Sequence, residues 1–147
     1  MRLGFWGYAL YKNMINTKLT ILIAEDEEDL REMYSRALLQ KGFIVIPATN
    51  GKEALEILEA EYSHIDLILL DIVMPGMDGM EFLKAIQGKK EYEKIAILVS
   101  TNLDNEADRK EALRLGAHNY FIKSSHTPAE LVKMIQDICF PVIQKII

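Results

Sequence analysis

The sequence predicts an α/β fold: a doubly wound, five-stranded parallel sheet with helices on both faces. Three observations carry this. Five short apolar runs alternate with five segments of helical periodicity, the alternation that builds parallel sheets with right-handed crossovers. The central runs are apolar throughout, as in strands covered on both faces. No internal repeat or polar linker divides the 147 residues, a length that suits one core.

The first strand is Leu19 to Ala24 (LTILIA), ended by Glu25 and Asp26. From Glu27 to Gln40, Leu30, Met33, Tyr34, Ala37 and Leu38 recur at helical spacing, acids crowd the first turn, and Lys41-Gly42 closes the helix. Phe43 to Ile46 is the second strand, and Asn50 caps a helix over Gly51 to Glu61 with Ala54, Leu55 and Leu58 on one face. Asp66 to Asp71 (DLILLD) is the third strand. Pro75, Gly76 and Gly79 mark the loop before a helix over Met80 to Gln87. Ile95 to Ser100 is the fourth strand, Leu103 to Leu115 the fourth helix, ended by Gly116, and Ala117 to Ile122 the fifth strand. The last helix starts at Pro128 behind the cap Thr127, and Pro141 kinks or ends it.

Composition narrows the function. The chain is 50% hydrophobic and 27% charged, a globular balance. With 17 Lys+Arg against 22 Asp+Glu, its net charge of −5 disfavours direct nucleic-acid binding. Cys139 is the only cysteine, so no intrachain disulfide forms, and a reducing cytoplasm fits best. Charged residues interrupt every apolar run before the ~20 residues a membrane span needs. Leu3 to Tyr11 follows Arg2 but lacks a signal-peptide cleavage pattern. Residues 1–17 are read as an N-terminal extension, 18–140 as the domain and 141–147 as a tail; Met14 offers an alternative start. Leu3, Phe5, Trp6, Tyr8 and Tyr11 are too numerous for a solvated tail and are expected to pack on the domain or a partner. The eight residues after Cys139 leave no room for an output domain within this sequence. His64, His118 and His126 share no ligand spacing and read as surface residues, while Met74, Met77 and Met80 read as packing.

Open parallel sheets place their sites beyond the carboxyl ends of the strands. There stand the pair Glu25 and Asp26 after the first strand, Asp71 after the third, Thr101 after the fourth and Lys123 after the fifth. Three converging carboxylates repel one another unless a cation joins them, and oxygen-only ligands select a hard ion such as Mg²⁺. A carboxylate beside that ion and a lysine can act as a nucleophile toward a phosphoryl group, and Asp71 is the best placed. A Thr101 hydroxyl could then bond a phosphoryl oxygen, a contact made only in the modified state.

The segments ILIAEDEED, DLILLDIVMPGMDGMEFL, ILVSTNLD and GAHNYFIKS together closely resemble the receiver domain of two-component response regulators, over roughly Lys18 to Asp137. Thr101 precedes Gly116 by 15 residues and Lys123 by 22, as in that family. The resemblance implies a flavodoxin-like strand order 2-1-3-4-5. It implies that a histidine kinase or histidine phosphotransfer protein donates a phosphoryl group to Asp71 with Mg²⁺ bound. Asp26, Asp71 and the main-chain carbonyl of Val73 would be the ligands, with Glu25 acting through metal-bound water. Lys123 would contact the phosphoryl oxygen, Thr101 would move toward it, and Tyr120, at the aromatic switch position, would swing inward. The face of the fourth helix, fifth strand and fifth helix would then change its preference for a downstream protein target, with a phosphorylation-dependent homodimer as one form. Asn102 stands where the family usually has a small residue, which bears on phosphoryl lifetime. Ser124 stands where it usually has proline, so the cis bond usual there is not expected.

Three other readings are open to test. A phosphatase using an aspartyl phosphate would want an acid two residues after Asp71, where Val73 stands, so the chain is not expected to be an enzyme beyond its own phosphorylation and dephosphorylation. A flavin or nucleotide carrier would need a glycine-rich loop after the first strand, where Glu25 to Glu28 repel phosphate. The alternative that stays is a receiver-shaped scaffold that binds partners without phosphorylation.

Overall fold

The computed structural model describes residues 4, 7, 12 and 18–140. Strand β1 (Thr20–Ala24) leads into helix α1 (Glu28–Gln40), then β2 (Ile44–Ala48), α2 (Gly51–Glu61), β3 (Leu67–Leu70), α3 (Gly79–Ile86), β4 (Ala96–Thr101), α4 (Glu106–Arg114), β5 (Asn119–Ile122) and α5 (Pro128–Cys139). Short 3-10 turns occupy Tyr62–His64, Lys90–Tyr92 and Lys123–Ser125. The sheet order is β2-β1-β3-β4-β5, and every pairing is parallel, the architecture expected.

Alternation along the strands divides the core into two layers. Leu22, Ala24, Ile68, Leu70, Ile97 and Val99 face α2, α3 and α4, whose Ala54, Leu58, Phe82, Leu83 and Ala112 cover them. Ile21, Ile23, Leu67, Leu69, Leu98 and Phe121 face α1 and α5, meeting Tyr34, Leu38, Leu131, Ile135 and Cys139. Burial on both faces explains why β1, β3 and β4 read as unbroken apolar runs. The register sets Ala24 beside Ala48 and Leu70, Leu70 beside Val99, and Thr101 beside Ile122. All carboxyl ends therefore reach one edge.

Side-chain caps fix the helix starts and correct several sequence bounds. Asn50 Oδ1 accepts the Glu53 N–H at 2.9 Å and Thr127 Oγ1 the Glu130 N–H at 3.2 Å, as expected. Asn105 Oδ1 accepts the Asp108 N–H at 2.8 Å, so α4 starts at Glu106 and not at Leu103. Asp78 caps α3 through the Glu81 N–H at 2.9 Å and draws Gly79 into the helix. Strand β2 runs through Pro47 to Ala48 where the sequence suggested an end at Ile46; as an edge strand it tolerates a missing N–H donor. Strand β5 starts at Asn119, not Ala117, because the Ala117 N–H bonds back to Ala112 O at 3.0 Å, with Gly116 at φ 109° making the turn.

Met74 is buried, and Met77 and Met80 pack against the first layer. His64, His118 and His126 are exposed; the His118 ring still accepts the Ile97 N–H at 2.9 Å. Leu3, Phe5, Trp6, Tyr8, Tyr11, Met14 and residues 141–147, Pro141 included, lie outside the described residues. Lys12 is described, and its Nζ lies 3.3 Å from Oδ2 of the buried Asp66. No helix among the described residues is long and apolar enough to cross a membrane.

Candidate functional site

The first strand passes its direction to the acid pair. Glu25 N–H still bonds to Ala48 O at 3.1 Å, so Glu25 continues the ladder and is 2% exposed, whereas Asp26 one residue later is exposed. On the neighbouring strand, Asp71 N–H bonds to Ala24 O at 3.0 Å, which aims the Asp71 side chain into the same crevice. One carboxylate oxygen from each of Glu25, Asp26 and Asp71 lies within 4.8 Å of the others.

Lys123, just past β5, reaches across to both buried acids. Its Nζ donates to Asp71 Oδ2 at 3.0 Å and to Glu25 Oε1. The Val73 N–H donates to Asp71 Oδ1 at 3.1 Å, so both Asp71 oxygens have donors. Burial pushes the Glu25 carboxyl up to about 7, against the pull of Lys123 and with a further push from Asp71. Burial works against the Lys123 ammonium too, but Glu25 and Asp71 together outweigh it and hold its pKa above the ordinary lysine value. One lysine against three carboxylates leaves the pocket short of positive charge.

The donor set fits a hard divalent cation. It is oxygen-only, and three of its oxygens lie within 4.8 Å of one another, a range that includes the ~4.2 Å between opposite ligands of an octahedral Mg²⁺. The loop after Asp71 is held tightly: the Gly79 N–H bonds to Ile72 O at 2.9 Å, and a Cβ on Gly79 would lie 2.4 Å from Asp71 O. Only glycine lets α3 start this close to the Asp71 main chain.

Thr101 ends β4 fully buried, and its Oγ1 accepts the Leu103 N–H at 3.3 Å. The Tyr120 hydroxyl donates to Leu103 O at 2.8 Å. Leu103 therefore ties both proposed switch residues into one chain of bonds. The expected inward swing of Tyr120 meets a ring already inside: Tyr120 is buried in this structure, because β5 alternation points it toward the first layer and the Leu103 carbonyl satisfies its hydroxyl. Asn102 and Ser124 are exposed, Val73 presents its side chain to solvent, and no cis peptide occurs among the described residues.

Two residues beside the pocket were not among the expected site residues. Arg31 Nη1 donates to the carbonyls of Glu25 at 2.9 Å and Asp26 at 3.3 Å. Tyr34, which periodicity assigns to the core, is buried on α1; burial lifts its phenol pKa, Lys123 opposes the shift, and Glu25 and Asp71 add to it. Five consecutive acids, Glu25 to Asp29, with one arginine two residues beyond them were the available signal for Arg31.

A parallel sheet with an acid pocket and a lysine at its carboxyl edge defines a class of α/β domains, and the comparisons give the family. Residues 21–136 match the response regulator receiver domain, and the chain belongs to that family. It is 34% identical, over 83% of its length and 91% of the relative, to an uncharacterized 14.6 kDa protein in the sodA1 3′ region of Leptolyngbya boryana. To the probable transcriptional regulator ycf27 of Cyanidium caldarium it is 39% identical over 80% of its length, but it spans only 45% of that regulator. The chemotaxis response regulator CheY4 of Vibrio cholerae superposes with a TM-score of 0.74 at 31% identity, covering 83% of this chain and 99% of that one. CheY from a CheX-CheY-BeF3-Mg complex of Borrelia burgdorferi gives 0.78 at 25% identity, covering 86% and 93%. The chain is thus a receiver domain of the response regulators of two-component signalling.

Proposed function

We propose that the chain is a phosphoryl-accepting switch, with Asp71 as acceptor and a histidine kinase or histidine phosphotransfer protein as donor. The observation that carries this is the Lys123 ammonium bonded to both Asp71 and Glu25 inside a cluster of three carboxylates. One Asp71 oxygen attacks the phosphorus of a phosphohistidine; the new O–P bond forms as the N–P bond breaks, and the imidazole nitrogen keeps the electron pair. Asp26, Asp71 and the Val73 carbonyl would hold Mg²⁺, with Glu25 behind a bound water; the ion supplies charge stabilisation to the phosphoryl oxygens. Lys123 exchanges its carboxylate contact for a phosphoryl oxygen. The presence of BeF3, a phosphoryl-shaped group, and magnesium in the CheX-CheY complex of Borrelia burgdorferi supports a pocket with these two occupants.

The readout starts at Thr101. Its hydroxyl turns to the phosphoryl group and releases the Leu103 N–H, and the Leu103 carbonyl carries the displacement to Tyr120. The α4-β5-α5 face then favours a different protein partner, a downstream target or a second phosphorylated copy. On this reading residues 18–140 are the switch, 1–17 an extension and 141–147 a tail. The chain works in the cytoplasm, contacts no nucleic acid directly, and has no enzymatic turnover beyond gaining and losing its own phosphoryl group.

Intact mass spectrometry after incubation with acetyl phosphate and Mg²⁺ tests this. Wild type gains one acid-stable, base-labile phosphoryl group; Asp71→Asn and a chelator control gain none. An unmodified wild type, with no beryllium fluoride binding, would leave the phosphorylation-independent scaffold as the function.

A further inference from the structure

The three pocket acids are not held equally. The Asp71 carboxylate is fixed by Lys123 and the Val73 N–H, and the Glu25 carboxylate by Lys123 and the Glu27 N–H at 3.3 Å. No hydrogen bond among the described residues holds the Asp26 carboxylate, so its position depends on the main chain that carries it. That main chain is a junction between β1 and α1 where Glu27, in the N-cap position, makes no side-chain capping bond. The other four sheet-to-helix junctions are fastened by Asn50, Asp78, Asn105 and Thr127. Here the fastener is Arg31, whose Nη1 reaches back to the carbonyls of the two acids themselves.

Resting on the reading that the pocket binds Mg²⁺, we propose that Arg31 is a positioning residue that presets Asp26 and Glu25 for the cation through their main-chain carbonyls. The guanidinium suits the task because its donors are fixed in one plane and its charge is permanent. Attachment through the main chain leaves both Asp26 carboxylate oxygens open to the ion, which an ion pair to Asp26 would not. Groups that orient metal ligands without touching the metal commonly change affinity about 10- to 100-fold when removed.

The test is calorimetric titration of the full chain with Mg²⁺, comparing wild type, Arg31→Lys and Arg31→Met, with melting curves alongside. Both variants are expected to bind Mg²⁺ about 10- to 100-fold more weakly. Arg31→Lys is decisive because it keeps the charge and loses the planar fork. Wild-type affinity in Arg31→Lys, whatever Arg31→Met does, would mean that the planar fork does not position the acids and overturns the proposal. A wild type that binds no Mg²⁺ sinks the underlying reading instead, a result distinct from normal wild-type binding with unaffected variants. A measurement without variants guards against misfolding: coupling is reciprocal, so Mg²⁺ must slow exchange of the Arg31 side-chain N–H groups in the ¹⁵N-labelled wild type. Unchanged exchange on saturation also overturns the proposal.

Discussion

Glu25 is the group in which burial and function oppose each other most directly. Its carboxyl, ordinarily near 4.5, is lifted by burial to about 7, since Lys123 offsets only part of the desolvation and Asp71 adds repulsion. A folded pKa above the unfolded one means that folding takes up a proton between the two. The stabilisation is complete below about 4.5 and is lost as pH rises through about 7. In chelated buffer the melting temperature should therefore fall between these values, and Glu25→Gln should flatten the slope and melt higher than wild type above the upper one. Scanning calorimetry across that range checks it, and a slope unchanged by the substitution would contradict it. At this scale Asp71, Lys123 and the acid pair were legible because strand ends in a parallel sheet converge. Arg31 was not: a lone arginine four residues after Glu27 reads equally well as a helical ion pair, and only the folded main chain shows that it bonds backward to two carbonyls.

Between elements, the distance of closest approach decides what the loop after Asp71 can do. At Gly79 a Cβ would stand 2.4 Å from Asp71 O and 2.7 Å from Ile72 Cα, main-chain atoms that have no rotamer in which to yield. Gly79→Ala must then push the start of α3 away from the phosphoacceptor strand. It should slow acetyl phosphate labelling at least several-fold with Asp71 itself intact. Gly42→Ala is the matched control: its φ of 87° disfavours alanine, by about 1 kcal/mol, but nothing lies within 4 Å and the pocket is distant. It should lower the melting temperature and leave the labelling rate alone. Equal rates in wild type and Gly79→Ala would show that the contact is not needed. The sequence marked Gly79 as a turn residue, since glycine beside Pro75 and Gly76 has that reading first. Its use as a close-packing position depends on where α3 docks. The same limit explains the α4 start: Leu103 fits the apolar period, but the Asn105 cap outcompetes it.

Across the molecule, the two-sided sheet stands between the pocket at one edge and a buried thiol in the layer under α5. That architecture was readable from apolar runs alone, whereas contacts such as Lys12 with Asp66, 54 residues apart, follow no periodicity and needed the fold. Cys139, the only cysteine, lies on α5 with no exposed surface among residues that also pack on Phe121 and Leu98. Burial pushes its pKa to about 12, so the folded chain presents neither access nor thiolate. A thiol reagent can react only through opening, and under fast reclosing its rate reports the open fraction. If α5 leaves only when the whole sheet unfolds, Mg²⁺ at the opposite edge must protect Cys139. At about 100 times its dissociation constant a ligand adds roughly 2.7 kcal/mol, or about 100-fold slower labelling. The expected result is that protection in wild type and its loss in Asp71→Asn at the same Mg²⁺ concentration. Labelling that ignores Mg²⁺ in both proteins would mean that α5 opens by itself, and that the half of the domain it covers is not cooperative with the site.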